Sequence, residues 1–364
     1  MINNSFWKNK RVLVTGHSGF KGSWLLLLLG KLGAETFGFS LEPEIHQSLF
    51  KEIYPKIKEK KIISDQYFGD INDLDNVSRY VKKANPDIVI HLAAQSLVRE
   101  GYKNPLFTWR TNVLGSLNLL DALKKIEKKC SIVMVTTDKV YKNKEWVFGY
   151  RENDELGGDD PYSASKASAE IAVQSWRKSF CGNYDYQKNN LFISTARAGN
   201  VIGGGDWSKD RIVPDVINAI IKKDTLRLYN PFATRPWQHV LESLHGYLLL
   251  AEKMYLEPNI YCQEYNFGPN LESNQTVKYL ANKIANVWGY PLKIIEESSN
   301  LRESKLLHLN FDKAYQELKW APIWNIDKTI THTSEWYKKF NNGISAIECC
   351  DYDFEVFLDL ILKN

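Results

Sequence analysis

The stretch RVLVTGHSGFKGSW, residues 11–24, decides how this chain is read. Its opening, Arg11–Thr15, is a short β-branched apolar run of strand length. It passes directly into Gly16-His17-Ser18-Gly19-Phe20-Lys21-Gly22, a GxxGxxG spacing, and then into an apolar segment predicted as a helix over 23–33. A strand, a glycine-rich turn and a helix, in that order, form a cradle for phosphate. Gly16 permits the tight turn, Gly19 lets backbone approach a pyrophosphate past Phe20, and Gly22 lets helix and strand pack closely. The unpaired N–H groups and the dipole of the helix start favour the anion.

Working outward, further strands are predicted at Glu35–Ser40, at 87–92 (DIVIHL), at 131–136 (SIVMVT) and at Leu191–Ala198 (LFISTARA). Helical spacing falls over 112–124 and 163–180. Repeated strand–helix–strand units imply an α/β architecture: a Rossmann-type doubly wound parallel sheet covered on both faces. After about residue 200 the elements shorten. Helices are predicted over 212–221, 241–255 and 276–287, with a short strand at 292–296 and a tryptophan-rich tail. The expected organisation is a dinucleotide-binding domain over 1–200, with a returning segment near 237–270. A smaller mixed α/β substrate-binding lobe is expected from 201–236 and 271–364.

Composition narrows the function classes. The chain has 364 residues, enough for about two domains. With 47 basic and 43 acidic side chains the net charge is only +4, so no nucleic-acid partner is expected. The densest basic run, 56–61, is broken by Glu59 and reads as a solvated helix or loop. The longest apolar run, 24–29, falls far short of the ~20 residues that span a bilayer, so no membrane association is expected. Five cysteines without a CxxC spacing suggest neither a disulfide framework nor a zinc site, and a cytoplasmic setting is expected. His91 and His239 lack metal-ligand spacing, and no metal is expected.

A carboxylate normally ends the second strand of such a domain and holds the cofactor ribose. Here Ser40 takes that place, with Glu42 two residues on. Without an arginine nearby for a 2′-phosphate, NAD is favoured over NADP, with its adenosine end held less tightly than usual. Asp70, in Gly69-Asp70-Ile71, either accepts from the adenine amino group or caps a turn. Tyr162 and Lys166 are four apart and share a helix face. A neighbouring ammonium and a positive nicotinamide are expected to draw the phenol down from its usual value of about 10. Thr137, past the strand over 131–136, is placed to hydrogen-bond the reacting hydroxyl.

The pieces TGHSGFKG (15–22), Asp70-Ile71, HLAA (91–94), TNVLG (111–115), Tyr162 with Lys166, and RAGN (197–200) occur in an order that resembles the extended short-chain dehydrogenase/reductase family of NAD-dependent epimerases and dehydratases. The resemblance implies NAD as cofactor and adds Ile71, Leu92, Ala93 and Ala94 to its site. It also implies a homodimer or homotetramer built on the helices over 112–124 and 163–180. Longer strings are similar to the CDP-glucose branch of the nucleotide-sugar 4,6-dehydratases: TGHSGFKGSW (15–24), GYRENDELGGDDPYSASK (149–166), RAGNVIGGGDW (197–207) and RPWQHV (235–240). This second resemblance spans residues 5 to about 260 and is weaker in the last hundred.

That resemblance implies a CDP-D-glucose substrate and an internal redox: oxidation at C4, loss of water across C5 and C6, and return of hydride to C6. It gives catalytic roles to Thr137, Asp138, Lys139, Tyr162 and Lys166. Asp138 is the expected acid at the C6 oxygen, which requires a raised pKa. Lys139 is either the C5 base or a charged stabiliser of the enolate. Gln95 is expected at the hexose hydroxyls, Asn200 at the sugar or its phosphate, and Arg211 and Arg235 at the diphosphate. The competing readings are a 4,6-dehydratase or 4-epimerase acting on another nucleotide sugar, and a non-catalytic NAD-binding scaffold. Asp138-Lys139 argues against an epimerase, which needs no acid at C6.

Overall fold

In the computed structural model, which describes residues 2–43, 47–181, 190–297 and 306–363, the apolar runs lie side by side. The strands are β1 (Arg11–Thr15), β2 (Glu35–Ser40), β3 (Ile63–Phe68), β4 (Ile88–His91), β5 (Cys130–Val135), β6 (Leu191–Ala198), β7 (Val201–Ile202), β8 (Leu226–Tyr229), β9 (Thr234–Pro236), β10 (Gln238–His239), β11 (Glu264–Phe267), β12 (Asn274–Thr276) and β13 (Ile294–Glu297). Seven of them form one sheet in the order β11-β6-β5-β4-β1-β2-β3, and every pairing in it is parallel. This is the expected doubly wound α/β fold. The smaller pairs are β7 with β10, β9 with β12, and β8 with β13.

Alternation along β1 shows why both faces are covered. Val12 and Val14 join an apolar cluster that includes Trp24, Leu25 and Leu244, from the helices Phe20–Lys31 and Val240–Leu256. Leu13 points the other way, into a cluster with Val77, Leu119 and Leu120. The chain steps outward from β1 to β3, then returns to β4 beside β1 and proceeds the other way. Ligands bind at such a reversal, beyond the carboxyl ends of the strands. The last pair between β1 and β4 is Thr15 with His91, so Gly16 and Leu92 leave the sheet together at that point.

Several boundaries differ from expectation. The helix predicted over 23–33 spans Phe20–Lys31, because Gly19 is its N-cap and offers no side-chain hydrogen bond to mark the start. The helix predicted over 112–124 is split into a π-turn, Arg110–Leu114, and an α-helix, Gly115–Leu123. The basic run over 56–61 ends an amphipathic helix, Leu49–Glu59, that buries Ile53 and Ile57 and carries Pro55 in its interior. The tryptophan-rich tail holds two helices, Ile326–Asn341 and Ala346–Lys363. Parts of the expected domains, 1, 44–46, 182–189, 298–305 and 364, lie outside the described residues. Among the described residues no helix is long and apolar enough to cross a membrane.

Candidate active site

The glycine turn is held from two sides. Gly16 has φ +72°, and its N–H donates to the Phe39 carbonyl at 2.7 Å. A Cβ at Gly16 would stand 2.8 Å from the Ala93 nitrogen, and one at Gly22 would stand 2.2 Å from the Gly16 carbonyl oxygen. A Cβ at Gly19 meets only that same oxygen, at 3.3 Å. Packing therefore demands Gly16 and Gly22, while Gly19 leaves the groove bare where a pyrophosphate would lie.

His91 braces this end of the sheet. Its Nδ1 lies 2.7 Å from Thr15 Oγ1 and its Nε2 lies 3.0 Å from Ser116 Oγ. Burial pushes its pKa down to about 3, so the ring is neutral. The loop after β4 carries Leu92, Ala93 and Ala94 along the groove. Asn112, aimed inward by the π-turn, clamps it: Asn112 Oδ1 accepts from Gln95 N at 2.9 Å, and Nδ2 donates to Gln95 O at 3.0 Å and Ser165 Oγ at 2.9 Å. Gln95 itself borders the cleft, with its side chain engaged in the loop. Its Nε2 donates to Thr108 Oγ1 at 2.8 Å and its Oε1 accepts from Leu97 N at 2.6 Å. The amide thus shapes this loop through one of its donors and its oxygen.

At the expected adenosine end, Ser40 Oγ lies 2.9 Å from both Ser18 Oγ and the Leu41 carbonyl. No arginine is among the residues bordering the cleft there, which are Ser18, Phe39–Leu41 and Gly69–Ile71. Asp70 Oδ1 accepts from the backbone and side-chain nitrogens of Asn72, each at 2.9 Å. Asp70 thus closes a turn, and Ile71 beside it packs under the groove.

The helix Pro161–Phe180 presents the expected catalytic pair. Asp160 is its N-cap, accepting from Tyr162 N at 2.9 Å and Ser163 N at 3.0 Å. Tyr162 and Lys166 are both buried. The expected downward pull on Tyr162 is outweighed. Burial pushes its pKa up to about 12, against a hydrogen bond with Thr137 and the charge of Arg211. Lys166 is not placed to counter this: its Nζ donates to the Val135 carbonyl at 3.3 Å, and burial lowers its own pKa to about 8.

Asp138 and Lys139 open a 3₁₀ turn just past β5. Asp138 Oδ1 accepts from Thr137 Oγ1 at 2.9 Å, and the carboxyl is buried. Burial raises its pKa, opposed first by Lys139 and then by Thr137 and Arg235. Gly199 gives it room, since a Cβ there would stand 3.0 Å from Asp138 Oδ2. Lys139 is half-buried.

The groups expected on the substrate side sit opposite. Arg211 Nη1 is 2.8 Å from Asp206 Oδ2, and its Nη2 donates to Ser96 Oγ at 3.4 Å, reaching across to the β4 loop. Arg235 is buried, with Nη1 donating to the Thr234 carbonyl at 2.8 Å. Asn200 borders the cleft and fixes β10 by accepting from Gln238 N at 3.0 Å.

One cleft of about 690 Å³ unites these groups, running from the Gly16–Gly22 turn past Thr137, Asp138, Lys139, Tyr162 and Lys166 to Arg211 and Arg235. Every candidate residue named from the sequence borders it. Sequence reasoning missed Lys21 and Asp206, which also border it. Lys21 Nζ lies 3.3 Å from Tyr247 Oη, and burial followed by the charges of Arg211 and Lys166 lowers its pKa to about 7. The signal for Lys21 was a cation inside an otherwise uncharged glycine turn. The bare cradle, its exposed helix start and the length of the cleft fit a dinucleotide beside a second ligand.

The sequence pattern of the family described as GDP-mannose 4,6 dehydratase matches residues 13–333. The chain belongs to this family. Among curated relatives of this dehydratase family member, the CDP-glucose 4,6-dehydratase of Salmonella typhimurium is 39% identical over 96% of each chain. A UDP-glucose 4-epimerase of Mycoplasma pneumoniae is 26% identical over 92% of this chain and 98% of its own. Among solved structures, a dTDP-glucose 4,6-dehydratase from Streptomyces venezuelae with NAD and TYD bound superposes with a TM-score of 0.78 at 21% identity, covering 91% of this chain and 98% of that one. At that identity the likeness carries the fold.

Proposed function

We propose that this member of the dehydratase family is a CDP-glucose 4,6-dehydratase that works with NAD in the cleft. The observation that carries the reading is a buried carboxyl, Asp138, next to Lys139 and one residue past Thr137, bordering the same cleft as Tyr162. An epimerase needs a threonine, a tyrosine and a lysine but no acid for a departing C6 oxygen. The 39% identity to a CDP-glucose enzyme over nearly the whole chain supports the choice of base.

Gly16, Gly19, Phe20, Gly22, Ser40, Asp70, Ile71 and Leu92–Ala94 would hold the dinucleotide, and Lys166 its ribose beside nicotinamide. When bound there, NAD would supply a reversible hydride acceptor for the sugar, serving C4 and then C6. Tyr162 removes the O4 proton, and Thr137 hydrogen-bonds the same oxygen. The phenol is poorly acidic in the cofactor-free cleft, so Tyr162 becomes a base as positive charge collects around it. The C4 ketone then acidifies the C5 hydrogen. Asp138, whose protonated form burial favours, gives its proton to the C6 hydroxyl, which leaves as water. Lys139 acts at C5, either taking the proton as a free amine or holding the enolate charge as an ammonium, and a proton is delivered back to C5 as hydride reaches C6. Arg211, oriented by Asp206, and Arg235 receive the diphosphate, with Asn200 between them and the sugar.

The lobe built from 201–236 and 271–364 would carry the nucleotide, and the domain over 1–200 with the return near 237–270 the cofactor. A homodimer or homotetramer would cover the exposed apolar side chains beside the π-turn and on the catalytic helix, among them Leu106 at 81% exposed, Leu114 and Ile171. Five free thiols fit a cytoplasmic enzyme.

The test is incubation of the protein and NAD with CDP-, UDP-, dTDP- and GDP-glucose in parallel. The reading expects a 4-keto-6-deoxy product from CDP-glucose alone. A C4 epimer with its water retained, or a clear preference for another base, overturns it.

A further inference from the structure

A buried ion pair lies one helical turn beyond Lys166, and neither of its members borders the cleft. Glu170 and Arg197 meet at 2.9 Å, each side chain only 3% exposed. Glu170 is four residues after Lys166 and so shares its helix face. Its Oε1 accepts from Thr136 Oγ1, the residue before Thr137. Its Oε2 accepts from Thr195 Oγ1 at 2.8 Å and from Arg197 Nη2 at 2.9 Å, both on β6. Arg197 in turn donates to Tyr141 Oη at 2.8 Å and to the Glu152 carbonyl at 2.9 Å. The carboxylate therefore ties the catalytic helix to the ends of β5 and β6.

The charges around Lys166 make this arrangement uneven. His91 faces it from β4 and is neutral, Lys21 faces it from the helix Phe20–Lys31, and Tyr162 stands one turn away on its own helix. Glu170 is the acid that favours its ammonium. That acid is shared, because Arg197 draws on the same carboxylate. A buried lysine loses its proton readily unless an anion compensates it.

We propose that Glu170 is a positioning residue for the reaction: its carboxylate keeps Lys166 charged and pins the end of β5 from which Thr137 projects. The inference rests on the proposed NAD-dependent reading, since it acts through the ribose and phenol contacts given there to Lys166. A purely structural ion pair would set stability but not the charge of its neighbour.

The experiment records the pH dependence of NAD affinity, and separately of kcat on CDP-glucose, for the wild type, Glu170→Gln, Arg197→Lys and the double variant Glu170→Gln/Arg197→Met. In Glu170→Gln the alkaline loss of NAD affinity moves to lower pH by about one unit. Arg197→Lys keeps a cation beside the carboxylate, so Glu170 stays ionised and the limb stays near that of the wild type. The double variant shifts as Glu170→Gln does. If Glu170→Gln fails to fold with its guanidinium stranded, the double variant against the wild type decides, since replacing both partners leaves no buried charge unpaired. An alkaline limb of the double variant that coincides with that of the wild type overturns the proposal. Failure of CDP-glucose turnover in the wild type would instead count against the functional reading, while the NAD curves still judge Glu170.

Discussion

Asp138 turns one carboxyl oxygen to the hydroxyl of Thr137, 2.9 Å away, and leaves the other, Oδ2, buried with no hydrogen-bond partner among the described residues. A buried acceptor without a partner is costly, and far more so when it carries charge. Burial therefore shifts the balance toward the protonated acid, which suits a group that must give a proton to a leaving hydroxyl.

Asp138→Asn should therefore divide activity from stability. Loss of the acid lowers kcat about 10²- to 10⁴-fold. The folded-state pKa of Asp138 is raised, so the native protein loses stability as pH climbs past the ordinary aspartate range, and an amide removes that cost. Thermal melts at neutral pH should show the variant more stable by about 0.5–2 kcal/mol. A variant that loses both activity and stability contradicts this account of Asp138.

Lys139→Gln addresses the C5 step. With substrate in deuterated water, the variant should incorporate deuterium at C5 far more slowly than the wild type, read by NMR of the sugar. Exchange at the wild-type rate removes Lys139 from the mechanism.

Gly22→Ala and Gly19→Ala should behave differently. A methyl at Gly22 collides with backbone at 2.2 Å, whereas one at Gly19 meets a single atom at 3.3 Å. The first should cost about 1–3 kcal/mol in denaturant unfolding. The second should leave stability nearly unchanged yet weaken NAD binding, measured by calorimetry, because its methyl occupies the pyrophosphate's approach. Equal stability in the two variants contradicts the assignment.

Glu242 supplies a pH test away from the cleft. It is fully buried, and its carboxyl accepts from Ile323 N at 3.0 Å and Trp324 N at 2.7 Å. Burial raises its pKa from 4.5 to about 8. The folded state thus holds a proton that the unfolded state releases, and stability falls as pH rises from about 4.5 to about 8. In Glu242→Gln, which keeps an acceptor for both N–H groups, this slope should disappear. Parallel stability curves for the two proteins contradict it.

The sheet was legible where local pattern and local geometry agree. Residues 12–15 are apolar or β-branched, and Gly16 and Gly22 after them are required by contacts within the turn and with Ala93, so strand and cradle were both readable. The helix start was not, because Gly19 caps it without a side chain. The Tyr162 and Lys166 pair was readable from spacing, but their protonation was not, since burial by distant segments dominates both. The hydrogen bonds of Gln95 and the place of Glu170 were unreadable for the same reason. Their partners, Thr108 for one and Thr195 and Arg197 for the other, come from elsewhere in the chain.

The central claim is that hydride leaves C4 and returns to C6 of the same sugar. CDP-glucose deuterated at C4, incubated with the protein and NAD, tests it most directly. The account predicts a 4-keto-6-deoxy product carrying the label at C6, with loss of one water. Label retained at C4 of an intact hexose, or washed out with no deuterium at C6, would contradict it.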